Sequence, residues 1–219
     1  MTLALYLHGF ASSPKTAKGV ALGRRLAPSL TSYAIPDLEA GDFRGMTMDL
    51  LAERAVRAVD ALPGDGEPVL VIGSSLGGYI AAWLAASGRI PRVGALLVIA
   101  PAFGFTDSWA TRLGADGIAA WRRDGERTFF HHASERDMPL GSAFYDSCVP
   151  LPALPAQAPM PVVIVHGRQD DSVDHRQSVA YATARERVEL HLVEGDHRLT
   201  EPRHEALIAW CAEDIIARL

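Results

Sequence analysis

Six short apolar runs divide the chain, at residues 3–7, 32–35, 69–72, 94–99, 162–165 and 189–193. Their length and composition predict buried strands. Between most of them the apolar positions recur at helical spacing, over about 16–26, 47–62, 76–87, 175–185 and 204–219. Strands alternating with helices predict an α/β fold on a doubly wound, mainly parallel six-stranded sheet. Two local signals support the boundaries. Asp174, with Gln177 three residues on, reads as a capping box. Pro202 falls near the start of the last helix, where its missing N–H matters little.

Residues 102–159 break the alternation. Trp109, Trp121, Phe129, Phe130 and Tyr145 stand there among charges, followed by Pro150, Pro152, Pro155 and Pro159. An insertion this long between two strands generally has a function, often as a lid or a wall of a site. The plainer alternative is a helical crossover with a proline-rich return. The expectation is a crossover plus cap ahead of the fifth strand, with Trp109 and Trp121 as candidate pocket residues. No internal repeat or low-complexity segment is evident, and 219 residues suit one domain, 1–219, with a sizeable core.

A hydrophobic fraction of 48% argues against disorder. The net charge of −5, with no long basic run, argues against nucleic acid as the main partner. The chain passes directly from Met1 into its first apolar run, and no run approaches a membrane span. Neither a signal peptide nor a membrane segment is expected. Cys148 and Cys211 lie far apart, which fits neither a disulfide framework nor a metal or redox pair. The expectation is a soluble, cytoplasmic protein.

Candidate chemistry begins at Gly73-Ser74-Ser75-Leu76-Gly77, where the third apolar run ends and a helical stretch follows at once. This is the strand–turn–helix context of a G-x-S-x-G nucleophile. Its turn is so sharp that the residues two before and two after the serine must lack side chains. Gly73 and Gly77 meet that need for Ser75; for Ser74 the equivalents would be Ile72 and Leu76. A phosphate-holding turn is the rival, but both G-x-x-x-x-G-K-[ST] and G-x-G-x-x-G are absent. A serine hydroxyl needs a base, and the base an orienting acid. The fifth run ends in His166-Gly-Arg-Gln-Asp170-Asp171 and the sixth in Glu194-Gly-Asp196-His197. Both lie just past strand ends, where open α/β sheets build their sites. Asp170 would orient His197, and His197 would take the proton from Ser75. The oxyanion needs donors, for which the N–H groups of Leu76 and of Phe10, in the loop Leu7-His8-Gly9-Phe10, are the candidates. His8 is given no chemical role.

With these residues in place, the chain resembles the α/β-hydrolase superfamily, and within it the bacterial YqiA-type small esterases. The matching pieces are Tyr6-Leu-His-Gly-Phe-Ala-Ser-Ser-Pro-Lys-Thr-Ala-Lys18, Gly73-Ser-Ser-Leu-Gly-Gly-Tyr79 with Trp83, Asp174-His-Arg-Gln-Ser-Val-Ala-Tyr181 and Gly195-Asp-His197. They cover about half the chain, the insertion matching much less. The resemblance implies a sheet without the first two strands of larger hydrolases, a 2-1-3-4-5-6 strand order and a Ser-Asp-His triad. It also implies hydrolysis of small acyl esters or thioesters without cofactor or metal. One departure is Val173-Asp174 where the acid motif often has Val-Pro, a change that bears on the neighbouring helix start. Rival readings are an acyltransferase using the same acyl-enzyme, a non-catalytic ligand receptor on a hydrolase scaffold, and a metallohydrolase. The last is weakest: in His131-His132 and Asp170-Asp171, adjacent residues would point to opposite faces of a strand.

Overall fold

The structure, a computed structural model, describes residues 2–64 and 66–219. In chain order its elements are β1 (Thr2–Leu7), α1 (Ala17–Leu26), β2 (Leu30–Ala34), α2 (Met48–Asp60), β3 (Val69–Ser74), α3 (Leu76–Ala86), β4 (Val93–Ile99) and α4 (Phe105–Asp124). There follow β5 (Glu126–His131), β6 (Arg136–Gly141), α5 (Ser142–Cys148), β7 (Val162–Gly167), α6 (Arg176–Thr183), β8 (Val188–Val193) and α7 (Pro202–Arg218).

Six strands form one sheet in the order β2-β1-β3-β4-β7-β8, with every neighbouring pair parallel. These are the six predicted runs in the implied order, five of them lengthened by a residue or two and the second shifted to end before Ile35. Side chains alternate across a strand, so two apolar faces arise from the same short runs. Leu3, Leu5, Val71 and Val98 pack with α2, α3 and residues of the insertion. Ala4, Tyr6, Ile72 and Leu97 pack with Leu22 and Leu26 of α1 and Ile208 and Ile215 of α7. A sheet covered on both faces has no use for polar alternation, which is why its strands read as continuous apolar runs. Helix α3 is apolar nearly all round and buried accordingly.

The chain winds outward in one direction from β1 to β2 and in the other from β3 to β8. The end of β1 therefore lies beside the end of β3, Leu7 in register with Gly73, at a topological switch point. The loops after β1, β3, β7 and β8 all leave the same edge of the sheet.

One local expectation is corrected, and one element is added. The capping box at α6 does not form: Asp174 Oδ1 accepts the N–H of Arg176 (2.9 Å), but the Gln177 side chain packs beside Gly104. Asp174 thus supports the helix entry in place of the absent proline. The insertion is also richer than a crossover. Helix α4 is broken at Gly114 (φ 68°), and β5 and β6 form an antiparallel hairpin that the apolar pattern did not predict. A two-stranded ribbon with charged positions and Pro139 in one strand buries only a narrow strip, Leu140 with part of Phe129 and Met138, too short to impose a readable pattern. It is tied down by a buried His131–Glu39 contact (2.7 Å) and by Gly141 N–H to Arg44 O (2.9 Å). Cys148 and Cys211 are buried free thiols. Among the described residues no helix is long and apolar enough to cross a membrane.

Candidate active site

Ser75 occupies the turn between β3 and α3 with φ 53° and ψ −118°, a conformation that costs a non-glycine residue about 1–3 kcal/mol. Its backbone is held on several sides. The N–H donates to Ile99 O (2.9 Å), and the carbonyl accepts from Gly78, Tyr79 and Ala102. The flanking glycines are required by contact, each for its own reason. A Cβ at Gly73 would come within 2.5 Å of Gly77 O, across the turn itself. A Cβ at Gly77 would collide with the Leu7 carbonyl and lie 2.6 Å from His8 O, at the end of β1. Ser74, by contrast, points its hydroxyl toward Tyr6, whose own hydroxyl is pushed by burial up to about 12.

Ser75 Oγ lies 3.1 Å from His197 Nε2, and His197 Nδ1 lies 2.7 Å from Asp170 Oδ2. The three residues come from the ends of β3, β7 and β8, three neighbourhoods that the sheet order brings to one edge. Asp170 has no exposed side-chain surface. Its Oδ1 accepts the N–H groups of Ser172 (2.9 Å) and Val173 (2.8 Å). Its Oδ2 accepts from His197 and also from His166 Nε2 (3.0 Å). Burial alone would raise this carboxyl, but the hydrogen bonds from His166 and His197, the charge of His197 and the N–H of Val173 outweigh it. They hold Asp170 well below the ordinary carboxylate range. Asp171, one residue on, is exposed, and among the described residues only the neighbouring Ser172 hydroxyl bonds to it (3.1 Å).

His166 was read in the sequence only as a marker of the strand end. It is fully buried in β7, with Nδ1 2.7 Å from Ser178 Oγ of α6. With Nε2–H directed at Asp170, Nδ1 is the acceptor of the Ser178 hydroxyl proton. The residues thus form one line, Ser178–His166–Asp170–His197–Ser75. The signal available beforehand was a histidine inside an otherwise apolar strand, where an imidazole needs partners for both nitrogens.

The loop after β1 closes against the nucleophile: a Cβ at Gly9 would stand 3.2 Å from Ser75 Cβ. Phe10 follows, and Leu76 opens α3. Among the described residues neither N–H is used in a hydrogen bond. His8 is buried, with Nδ1 on Gly9 O (3.0 Å) and Nε2 accepting from Leu38 N–H (3.2 Å). Burial holds it below the usual histidine range, so its place is in the frame of this loop.

Ser75 and His197 open into a cleft of about 640 Å³. One wall is aromatic: Phe10, Phe105, Trp109, Phe129 and Phe144 touch one another there, with Trp109 stacked on Phe129 at 5.2 Å. Of the two tryptophans expected at the pocket, Trp109 lines the cleft and Trp121 does not. Trp121 is 2% exposed, stands behind Trp109, and donates its indole N–H to Leu140 O (2.9 Å). It is a core residue because its polar edge finds a backbone partner only in the interior.

The sequence pattern of an uncharacterised protein family, UPF0227, matches residues 3–209. Among solved structures the chain is similar to the alpha/beta hydrolase domain-containing protein 10 from mouse, with 22% identity and a TM-score of 0.83 over 99% of this chain and 90% of that one. It is also similar to Est1E from Butyrivibrio proteoclasticus, with 20% identity and a TM-score of 0.77 over 99% and 87%. The esterase domain of a Rhodothermus marinus protein matches with 20% identity and a TM-score of 0.66 over 99% and 86%.

Proposed function

This chain belongs to the uncharacterised protein family UPF0227 and has the α/β-hydrolase fold, and we propose that it is a serine hydrolase of small acyl esters or thioesters. The observation that carries the reading is the line from Ser75 Oγ through His197 to Asp170, at 3.1 and 2.7 Å, opening into the cleft. Hydrolases and esterases among the structural neighbours agree with it.

In this reading Ser75 Oγ attacks the substrate carbonyl carbon while His197 Nε2 takes the hydroxyl proton. Asp170 fixes the imidazole with Nδ1–H toward itself and stabilises the imidazolium that forms. Negative charge develops on the carbonyl oxygen, and the N–H groups of Phe10 and Leu76 receive it without reorganising. As the C–O or C–S bond breaks, His197 returns the proton to the departing oxygen or sulfur, leaving an acyl group on Ser75. Water, deprotonated by His197, then attacks the acyl carbon; as the bond from that carbon to Ser75 Oγ breaks, His197 returns the proton to Oγ, and the acid departs with Ser75 restored. The aromatic wall receives the acyl chain. The strained turn at Ser75 holds Oγ at the cleft, so no conformational search precedes attack.

The test is a panel of esters and acyl thioesters of graded chain length, run with the intact protein and with Ser75→Ala. An active-site-directed phosphonate should label Ser75, and Ser75→Ala should lose both labelling and turnover with its fold intact. Labelling that survives Ser75→Ala and vanishes in Ser74→Ala would move the nucleophile. Turnover that persists in both would remove the serine mechanism.

A further inference from the structure

The cleft is charged against the protein that contains it. The chain has 26 acidic and 21 basic residues, yet no Asp or Glu is among the described residues that line the cleft, whereas Lys18, Arg112, Arg198 and His132 are. Lys18 and Arg198 form a unit: Lys18 Nζ donates to Arg198 O (2.5 Å), joining the start of α1 to the residue after His197. An ammonium carries three donors, and no other hydrogen bond from Nζ is made among the described residues. The charges of Asp196 and Glu205, neither of which lines the cleft, draw Lys18 upward. Removal from water outweighs them and lowers it to about 8, which leaves it mostly protonated at neutral pH. A part-buried ammonium with one carbonyl as its hydrogen-bond partner among the described residues, on a cleft whose own lining holds no carboxylate, is a place for an anion. Ser12, Thr16 and Thr200, lining the same cleft, add hydroxyl groups.

The position relative to Ser75 says which part of the substrate bears that anion. Given the proposed acyl transfer, His197 must hand a proton to the departing atom, so the departing group lies on the His197 side of Ser75. Arg198 follows His197 in the chain, and Lys18 is bonded to Arg198. The aromatic wall, built on Phe10 and the insertion, is a separate cluster. We infer that the substrates are amphipathic esters or thioesters, their apolar acyl part against the aromatic wall and their alcohol or thiol part carrying an anion held by Lys18 and Arg198. The shared chemistry is a carboxylate or a phosphate on the leaving side. This inference rests on the hydrolase reading of Ser75.

The experiment compares three butyrate esters of one phenol. The phenol bears, through an insulating two-carbon spacer, a primary amide, a carboxylate or a phosphonate, so intrinsic reactivity is matched. At low ionic strength kcat/KM for an anionic ester should exceed that for the amide by about tenfold or more, and the ratio should fall as salt is added. Whichever anion wins assigns the class. Lys18→Met and Arg198→Gln should each lower the anionic-to-amide ratio, while Arg24→Gln, an equal change in net charge on an exposed part of α1, should leave it unchanged. A second arm measures equilibrium binding of the same three esters to Ser75→Ala by calorimetry, which needs no turnover. Absence of turnover on all esters with tighter anion binding in this arm would remove the hydrolase reading and keep the anion site. A ratio near one in both arms, or an equal effect of Arg24→Gln, overturns the anion site itself.

Discussion

Asp170 Oδ2 receives two histidines and Oδ1 two backbone N–H groups, so all of its acceptor capacity is used inside the protein. An amide in its place would have to present an NH₂ to donors at one end, breaking either the His197 or the backbone contacts. Asp170→Asn should therefore lower kcat by about 10⁴-fold, the scale of such a replacement in serine protease triads. Asp171→Asn should lose less than about tenfold, a barrier change under roughly 1.4 kcal/mol, because among the described residues only its exposed neighbour Ser172 bonds to Asp171. Both variants assayed on one short ester decide the matter, and the reverse ranking would reassign the acid. The spacing from His166 points to Asp170 over Asp171 in the sequence, and Asp170 is the one that contacts His197. That His166 itself donates to Asp170 was not legible there, because it depends on Ser178 of α6 taking the other ring nitrogen.

The insertion between β4 and β7 is the element in which sequence and structure differ most. The sequence offers Trp109 and Trp121 alike as pocket residues; folded, the aromatic residues separate into a cleft wall and a core beneath it. The distinction has opposite consequences for two tryptophans. Trp109→Ala should shift the preferred acyl chain length more than it changes turnover of the shortest ester, since Trp109 lines the cleft. Trp121→Ala should instead destabilise the fold by about 3–5 kcal/mol, the usual cost of removing a buried aromatic side chain, and should leave Leu140 O unpartnered. Chain-length profiles together with denaturant midpoints separate the two. A lowered midpoint for Trp109→Ala with an unchanged profile would place it in the core as well. Helix periodicity cannot make this assignment, because α4 turns at Gly114 and its two halves face different neighbours.

For the molecule as a whole, Asp170 couples the site to stability. Its folded-state affinity for a proton is depressed relative to an unfolded aspartate near pKa about 3.9, so the unfolded state binds the proton more tightly. The resulting contribution to stability is complete above that value and is lost as pH falls through the folded pKa. Urea unfolding measured from neutral pH downward should show a deficit for Asp170→Asn that is largest near neutrality and shrinks below about pH 4. A deficit independent of pH would mean that the buried carboxylate contributes by packing and not by charge.

The local pattern of apolar residues determined the six strands and their helices, because a strand buried on both faces cannot carry polar positions. It also determined which residues follow each strand end, and so marked Ser75, Asp170 and His197 as candidates. Gly73 and Gly77 were legible for a related reason: a turn that sharp leaves no room for a Cβ. Tertiary structure alone decided what depends on neighbours remote in the chain. Ser75 and His197 are 122 residues apart in sequence and meet only because β3 and β8 end on one edge of the sheet. The β5–β6 hairpin has only a narrow apolar strip, Leu140 with Phe129 and Met138, and its docking on the core and through Glu39 and Arg44 holds it in place. Lys18 reads as an ordinary helix-start lysine until the loop after β8 brings Arg198 against it. Burial writes itself into the sequence where a whole element is covered; a contact between two side chains does not.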